Sequence, residues 1–320
     1  MGRRRALKHL LGAGLLSCAP WVRSQSDANL RLLVGFAPGG GTDSVARLMA
    51  PKLSALLKQN IVIDNRAGAG GNIATEALFK AAGDDHVFML GTIGSLAVNQ
   101  HLIPMSFSPS NELELISLAV TFSNVLVVPE SSSIATFTDY LRLAREPNTR
   151  LAFGSSGIGS AGHLAGEMLK KEAGIFAVHI PYNGGNPAQL ALLSGQVDFN
   201  IDNLATASAN IAAGKLTALA VTSAQRSTLL PQVPSLSETL PGLVIDTWWG
   251  LVAPAGPPPA VVNQLNQAFV SALSDADTKA RFAKLMAEPA PSSPSQFGQF
   301  MDAERKRYES VVKQSGAKVD

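Results

Sequence analysis

The chain has 320 residues, enough for one large or two medium domains, and 46% of them are apolar while only 16% carry charge. Its net charge of +2 belongs to the front end: residues 1–24 hold Arg3, Arg4, Arg5, Lys8 and Arg23 and no acid, so without these five the charge is −3 and a basic nucleic-acid-binding surface is excluded. The only cysteine, Cys18, lies in the same segment, so beyond it no disulfide, thiolate nucleophile or cysteine-based metal site is available.

Residues 1–24 read as an export signal. Arg3 to Lys8 form the positive region, Leu10–Leu16 is a short apolar core, and Val22 and Ser24 supply small residues for cleavage before Gln25. Leu15-Leu16-Ser17-Cys18 offers a rival ending, a lipoprotein acylated at Cys18. After residue 30 no run of 18 apolar residues occurs, so the processed chain is expected to be soluble and periplasmic.

The first element is the apolar run Leu30–Phe36, of a length suited to a buried strand. It breaks at Pro38 into Gly39-Gly40-Gly41. Thr42 and Asp43, both good helix starters, precede apolar residues at helical spacing from Val45 to Leu56. This order, strand then glycine loop then helix, sets bare backbone N–H groups and a positive dipole end in front of an anion. An ordinary tight turn has the same look, but a second loop of the same build begins at Gly154. Pro51, inside the helix, predicts a kink or an early break. Ile61–Ile63 and Val87–Leu90 are further strands, leading to Gly68-Ala69-Gly70-Gly71-Asn72 and to Gly91-Thr92. Three such units so close together predict a doubly wound parallel sheet.

Leu115–Val128, a long β-rich apolar run interrupted by Asn124, reads as a crossing between two lobes. A second series follows. Leu151–Phe153 enters Gly154-Ser155-Ser156-Gly157-Ile158-Gly159-Ser160, Val178–Pro181 enters Tyr182-Asn183-Gly184-Gly185-Asn186-Pro187, and Val197–Ile201 ends in Asp202-Asn203. Thr247–Ala253 reads as the return crossing, and helices from Pro259 onward should pack back on the first lobe. The architecture expected is α/β, with residues 27–125 and 248–320 as one lobe and 126–247 as the other.

The glycine loop lacks the Lys-Ser/Thr of a phosphate-binding P-loop. Around Ser156 the nucleophile-elbow spacing fails, because Ile158 stands where the last glycine belongs. His163 and His179 could still be assembled with Ser156 into a secreted hydrolase. No histidine shows metal-ligand spacing. Glycines with Ser155, Ser156 and Ser160 suit holding an anion without reacting with it. Asp43 beside an anion would repel it, so its expected role is to brace its own turn. Asp202 and Asn203 could brace the crossing or receive a ligand N–H or hydroxyl. Trp248-Trp249 read as packing more than as a ligand platform.

These motifs, taken in order, closely resemble the Bug-type extracytoplasmic solute receptors, the binding components of tripartite tricarboxylate transporters. The match spans about residues 30–315. It rests on Phe36-Ala37-Pro38-Gly39-Gly40 with Thr42-Asp43, Asp64-Asn65-Arg66, Gly91-Thr92, Gly154-Ser155-Ser156-Gly157, His163-Leu164, Pro181-Tyr182, Ser194-Gly195-Gln196-Val197-Asp198 and Asp202-Asn203. The resemblance implies a two-lobed periplasmic binding protein (a type II-like clamshell), each lobe a parallel-dominated sheet flanked by helices, with two crossover strands. It implies no catalysis, no cofactor and no metal, a monomer, a small organic carboxylate as ligand, and membrane transporter components as partners. A ligand-sensing subunit of a membrane signalling protein would have the same fold. Carried over position by position, the ligand contacts are Phe36, Gly39, Gly40, Thr42, Asp43, Gly91 and Thr92 in the first lobe. In the second they are Ser155, Ser156, Gly159, Ser160 and Asp202. The sequence departs from the pattern at Ala67, Ile93, Asn183 and the Ala82-Gly83-Asp84-Asp85-His86 turn.

Overall fold

A computed structural model describes residues 29–109 and 112–317. The expected export signal, its cleavage point and Cys18 lie outside the described residues. Strand β1 (Leu30–Val34) leads through the glycine loop to α1 (Gly41–Leu57), followed by β2 (Ile61–Asn65), α2 (Asn72–Phe79) and β3 (Val87–Thr92). Both β2 and β3 pair with β1 in parallel. Pro51 does not end α1. It and Arg47, whose carbonyl loses its donor, are exposed, so water can satisfy the freed oxygen.

Strand β4 (Leu113–Pro129) is the long apolar run, and it serves two sheets. From Leu113 to Ser123 it pairs in the first sheet; from Asn124 onward it pairs with strands of the second. The second unit contains α3 (Phe137–Ala144), β5 (Leu151–Ser155), α4 (Ala161–Ala173), β6 (Ala177–Pro181), α5 (Gly185–Leu193), β7 (Phe199–Asn203), α6 (Leu204–Ala212) and β8 (Leu216–Val221). Here β5 is parallel to β6 and β7, while β7 and β8 run antiparallel to β4. The chain then returns as β9 (Asp246–Pro254), which sits between β3 and β4 and is antiparallel to both. Its pairing with β4 ends at Asp246 opposite Ser123, so the return is complete where the strand begins. Helices α7 (Pro259–Ser274) and α8 (Ala276–Lys284), strand β10 (Glu288–Pro289) and α9 (Pro294–Ser315) complete the chain. The result is a mixed α/β fold of two lobes on one curled sheet.

Three apolar clusters hold it. One lies between β1, α1, α7 and α8 and includes Val45, Met49, Leu53, Phe269 and Phe282. Another lies in the second lobe around Val125, Leu192, Leu204 and Val221. The third runs across both lobes, from Leu33 and Met89 to Phe153, Leu169 and the α9 residues Phe297 and Tyr308. Helix α9 therefore does more than cover the first lobe: it packs on β4 and also on α4, and Lys171 of α4 donates to the Gln314 carbonyl (2.8 Å). Its Glu304, nearly buried, accepts from Trp248 Nε1 at 2.6 Å.

Tyr140 of α3 is fully buried, edge-on to Phe199, and its hydroxyl meets no partner among the described residues. A buried hydroxyl without a partner loses its hydration for nothing in return. The variant Y140F is therefore expected to match or exceed the wild type in urea denaturation, by about 1 kcal/mol. A loss of similar size would mean that the hydroxyl is satisfied.

Candidate functional site

The strands of both lobes open at one end into loops, and the loops face each other across a cleft. In the first lobe Gly39, with φ +84°, turns the chain so that its N–H donates to Asp43 Oδ2 at 2.9 Å. That carboxylate also accepts from Arg47 Nε (2.7 Å) and Asn65 Nδ2 (3.0 Å). Burial opposes ionisation of Asp43, but the Arg47, Gly39 and Asn65 hydrogen bonds outweigh it and hold the carboxyl below its usual range. Asp43 is thus occupied by its own loop, while α1 begins at Gly40 with no side-chain cap. Thr92, at the end of β3, exchanges hydrogen bonds with Ser95, yet its own Oγ1 is buried without a partner among the described residues.

In the second lobe the last residue of β5, Ser155, points away from the cleft, its Oγ 2.6 Å from His179 Nε2. The ring stacked on His179 is His163, 4.2 Å away, not a carboxylate. Burial, then the His163 and Lys170 neighbours, push the His179 imidazole down to about 3, so it is neutral at any ordinary pH. Gly159, with φ +77°, donates to His163 Nδ1, and Ser160 caps α4 by accepting from the His163 N–H. Asp202 ends β7. It is buried, accepts from Gln189 Nε2 (3.0 Å) and from the Asn203 N–H (2.8 Å), and burial pushes it up to about 6.

The two walls meet closely and enclose a cavity of about 30 Å³, room for one or two water molecules. Several contacts among the described residues bridge them. The Ala37 N–H donates to the Asn183 carbonyl (2.9 Å), the Gly41 N–H donates to Thr206 Oγ1 (2.9 Å), and Gly70 and Gly94 pack on the Ile158–Gly159 backbone.

Seven of the twelve residues expected to touch a ligand line this cavity: Phe36, Gly40, Thr42, Thr92, Ser156, Ser160 and Asp202. The other five stand just behind it. Gly39 and Asp43 brace the first loop, Gly91 pairs with Gly250 and packs against Leu96, and Ser155 and Gly159 are tied to the two histidines. The wall also contains residues that sequence reasoning did not choose, among them Gly41, Asn124, Gly185, Thr206, Thr247 and Trp249. Asn124 was visible as the polar break in an apolar run, and Gly185 as part of a glycine-rich turn. Thr206 carried no signal, being an ordinary residue of a helix's first turn. The two tryptophans divide: Trp248 is buried against α9, while Trp249 lies on the wall, edge-on to Phe122.

Four helices, α1, α4, α5 and α6, point their N-termini at the cavity through Gly40–Thr42, Ser160–Gly162, Gly185 and Asn203. Ser160 and Asn203 cap their own helices, whereas α1 and α5 start from glycines with no capping side chain of their own, although the Gly41 N–H of α1 is taken by Thr206 Oγ1. No lysine, arginine or histidine lines the cavity. The positive field comes from helix ends and oriented N–H groups, which suits an anion bound by geometry. Among the described residues only the exposed Asp84-Asp85-His86 turn gathers three possible metal ligands, and it does not line the cavity.

A family model described as the tripartite tricarboxylate transporter family receptor matches residues 45–317. Protein BugT of Bordetella pertussis is 33% identical over 91% of this chain and 90% of its own length. Among solved structures, an R. palustris protein determined with adipate is 34% identical, with a TM-score of 0.87 over 91% of this chain and 98% of that one. MatC from Rhodopseudomonas palustris, with bound malate, is 30% identical, with a TM-score of 0.83 over 89% and 98%.

Proposed function

The chain belongs to the family of tripartite tricarboxylate transporter receptors, and we propose that it is a periplasmic, monomeric receptor whose lobes close on a small dicarboxylate and deliver it to the membrane components of such a transporter. We assign residues 27–125 and 248–320 to one lobe and 126–247 to the other. The observation that carries the ligand class is the pair of uncapped helix starts, α1 in the first lobe and α5 in the second. The two starts lie side by side and offer the N–H donors not already taken by Thr206 to a carboxylate, and the Thr92 hydroxyl, without a partner among the described residues, is on the same wall. The proteins solved with adipate and malate carry dicarboxylates, which favours the same class here. A molecule of that size exceeds the present cavity, so entry requires the lobes to part and binding draws them together.

A thermal-shift screen tests this reading. Succinate, malate, adipate and citrate are compared with phosphate, sulfate and glucose. A dicarboxylate at about 100 times its Kd adds about 2.7 kcal/mol, which should raise Tm by roughly 4 °C in a chain of this size. Because no cationic side chain lines the cavity, the effect should weaken little between low and high salt. Stabilisation by glucose and by no carboxylate would overturn the assignment.

A further inference from the structure

We propose that Asn183 is a site of spontaneous deamidation, and that its conversion breaks one of the bonds that hold the cleft closed. Asn183-Gly184 is the only Asn-Gly pair in the chain. Glycine after asparagine is the sterically open case: with no Cβ, the Gly184 nitrogen can approach the asparagine side chain. Asn183 is exposed. Neither its side-chain amide nor the Gly184 N–H takes part in a hydrogen bond among the described residues, so no hydrogen bond has to break before they react. By contrast, the exposed Asn60 and Asn29 bond to each other, and Asn60 precedes the branched Ile61.

In the first step the Gly184 backbone nitrogen attacks Asn183 Cγ. The new N–C bond closes a five-membered imide, the Cγ–Nδ2 bond breaks, and the amide leaves as ammonia with the proton lost from Gly184 N. Water then adds to either imide carbonyl and opens the ring, giving aspartate or isoaspartate and releasing a proton. In isoaspartate the Cβ becomes part of the main chain, so the peptide between residues 183 and 184 is lengthened by one carbon.

The consequence follows from where the pair sits. The Asn183 carbonyl accepts the Ala37 N–H across the cleft, and Gly184, with φ +137°, packs its backbone against Phe36 and Ala37 before starting α5. Lengthening the chain at this point moves the carbonyl off Ala37. The new carboxylate also brings a negative charge to the rim of a cleft built to attract anions.

The test needs no ligand. Purified wild type and N183Q are aged at mildly alkaline pH and 37 °C, then digested and mapped by mass. The wild-type peptide containing residue 183 should gain about one mass unit (an NH2 replaced by OH) several-fold faster than any other asparagine peptide, and should become a substrate for isoaspartate methyltransferase. Hydrogen exchange of the segment containing Ala37 should be protected in fresh wild type and in aged N183Q, and lose that protection in aged wild type. Retention of the Asn183 amide while other asparagines convert would overturn the proposal. So would conversion at Asn183 that leaves Ala37 protection unchanged. Neither outcome depends on whether a dicarboxylate is the ligand.

Discussion

Replacing Gly41 with alanine is expected to lower ligand affinity about a hundredfold while leaving the thermal midpoint near that of the wild type. A Cβ built at Gly41 would overlap Asn203 Oδ1 and stand 2.9 Å from Thr206 Oγ1 and 3.1 Å from Ala205 Cβ. All three atoms belong to α6 or its cap, across the cleft. Within its own lobe Gly41 is the first residue of α1 in ordinary helical geometry, where alanine is tolerated and gains up to about 1 kcal/mol. The clash therefore exists only when the lobes are closed. Asn203 cannot swing aside freely, since its oxygen already accepts from the Thr206 N–H and hydroxyl. Overpacking of this kind costs about 1–3 kcal/mol, and the strained Gly41–Thr206 bond adds to it; together these give the factor of about a hundred. Calorimetry with the best carboxylate from the screen measures the loss. Small-angle scattering should show a G41A protein whose radius of gyration stays above that of the wild type even with ligand. Unchanged affinity would mean that the walls do not approach as closely as described.

The variant D202N is expected to remove a pH dependence of stability worth about 3 kcal/mol. Asp202 rises from 3.8 to about 6 on folding because burial disfavours its charged form, against the opposing hydrogen bonds from Gln189 and Asn203. A carboxyl raised in this way binds its proton more tightly folded than unfolded. Its contribution is whole below pH 4 and is lost as pH climbs through 6. The size follows from 1.36 kcal/mol per pKa unit, so about 3 kcal/mol over the window. Asp43, shifted the other way, acts below pH 4, and His179, which takes a proton below 6.5 only when unfolded, adds stability as pH rises from 3 to 6.5 in both proteins and so cancels in the comparison. Urea denaturation from pH 4 to 7.5 should show the wild type losing stability relative to D202N. Because Asp202 lines the cavity, the affinity for adipate at pH 5.5 relative to pH 7.5 should be higher in the wild type than in D202N, a comparison in which adipate's own titration cancels. Parallel stability curves for the two proteins would show that Asp202 remains ionised throughout.

Much of the fold was legible because its signals are local. The strand, glycine loop and helix start at Leu30–Leu57 occupy consecutive residues, and the length of the apolar run at 115–128 was itself the sign that one strand serves two sheets. Ser155 and Ser156, expected together in the site, part ways in the structure. The first ends β5 facing the histidines, and the next faces the cleft. What could not be read is the part made by distant segments meeting. Thr206 reaches the wall only because α6 is set head-on to α1, and Thr247 only because β9 enters beside the middle of β4. Pro51 misled for a related reason: propensity registers a broken hydrogen bond, but the loss matters little on a face open to water.

The way β4 joins the lobes has a mechanical meaning. Its partner changes from Asp246 at Ser123 to Asn203 at Asn124, so no unpaired residue separates the two sheets. The junction is also tied sideways, by Asn124 Nδ2 to Thr247 Oγ1 (2.6 Å) and by Thr222 Oγ1 to the Ile245 carbonyl (2.7 Å). Opening cannot then be a swivel about a slack loop; it has to flex hydrogen-bonded ribbon along its length, as a leaf spring bends. A spring stores work when deformed and returns it on release. Lobes mounted this way share one resting angle, and any departure from it is opposed by the ribbon itself.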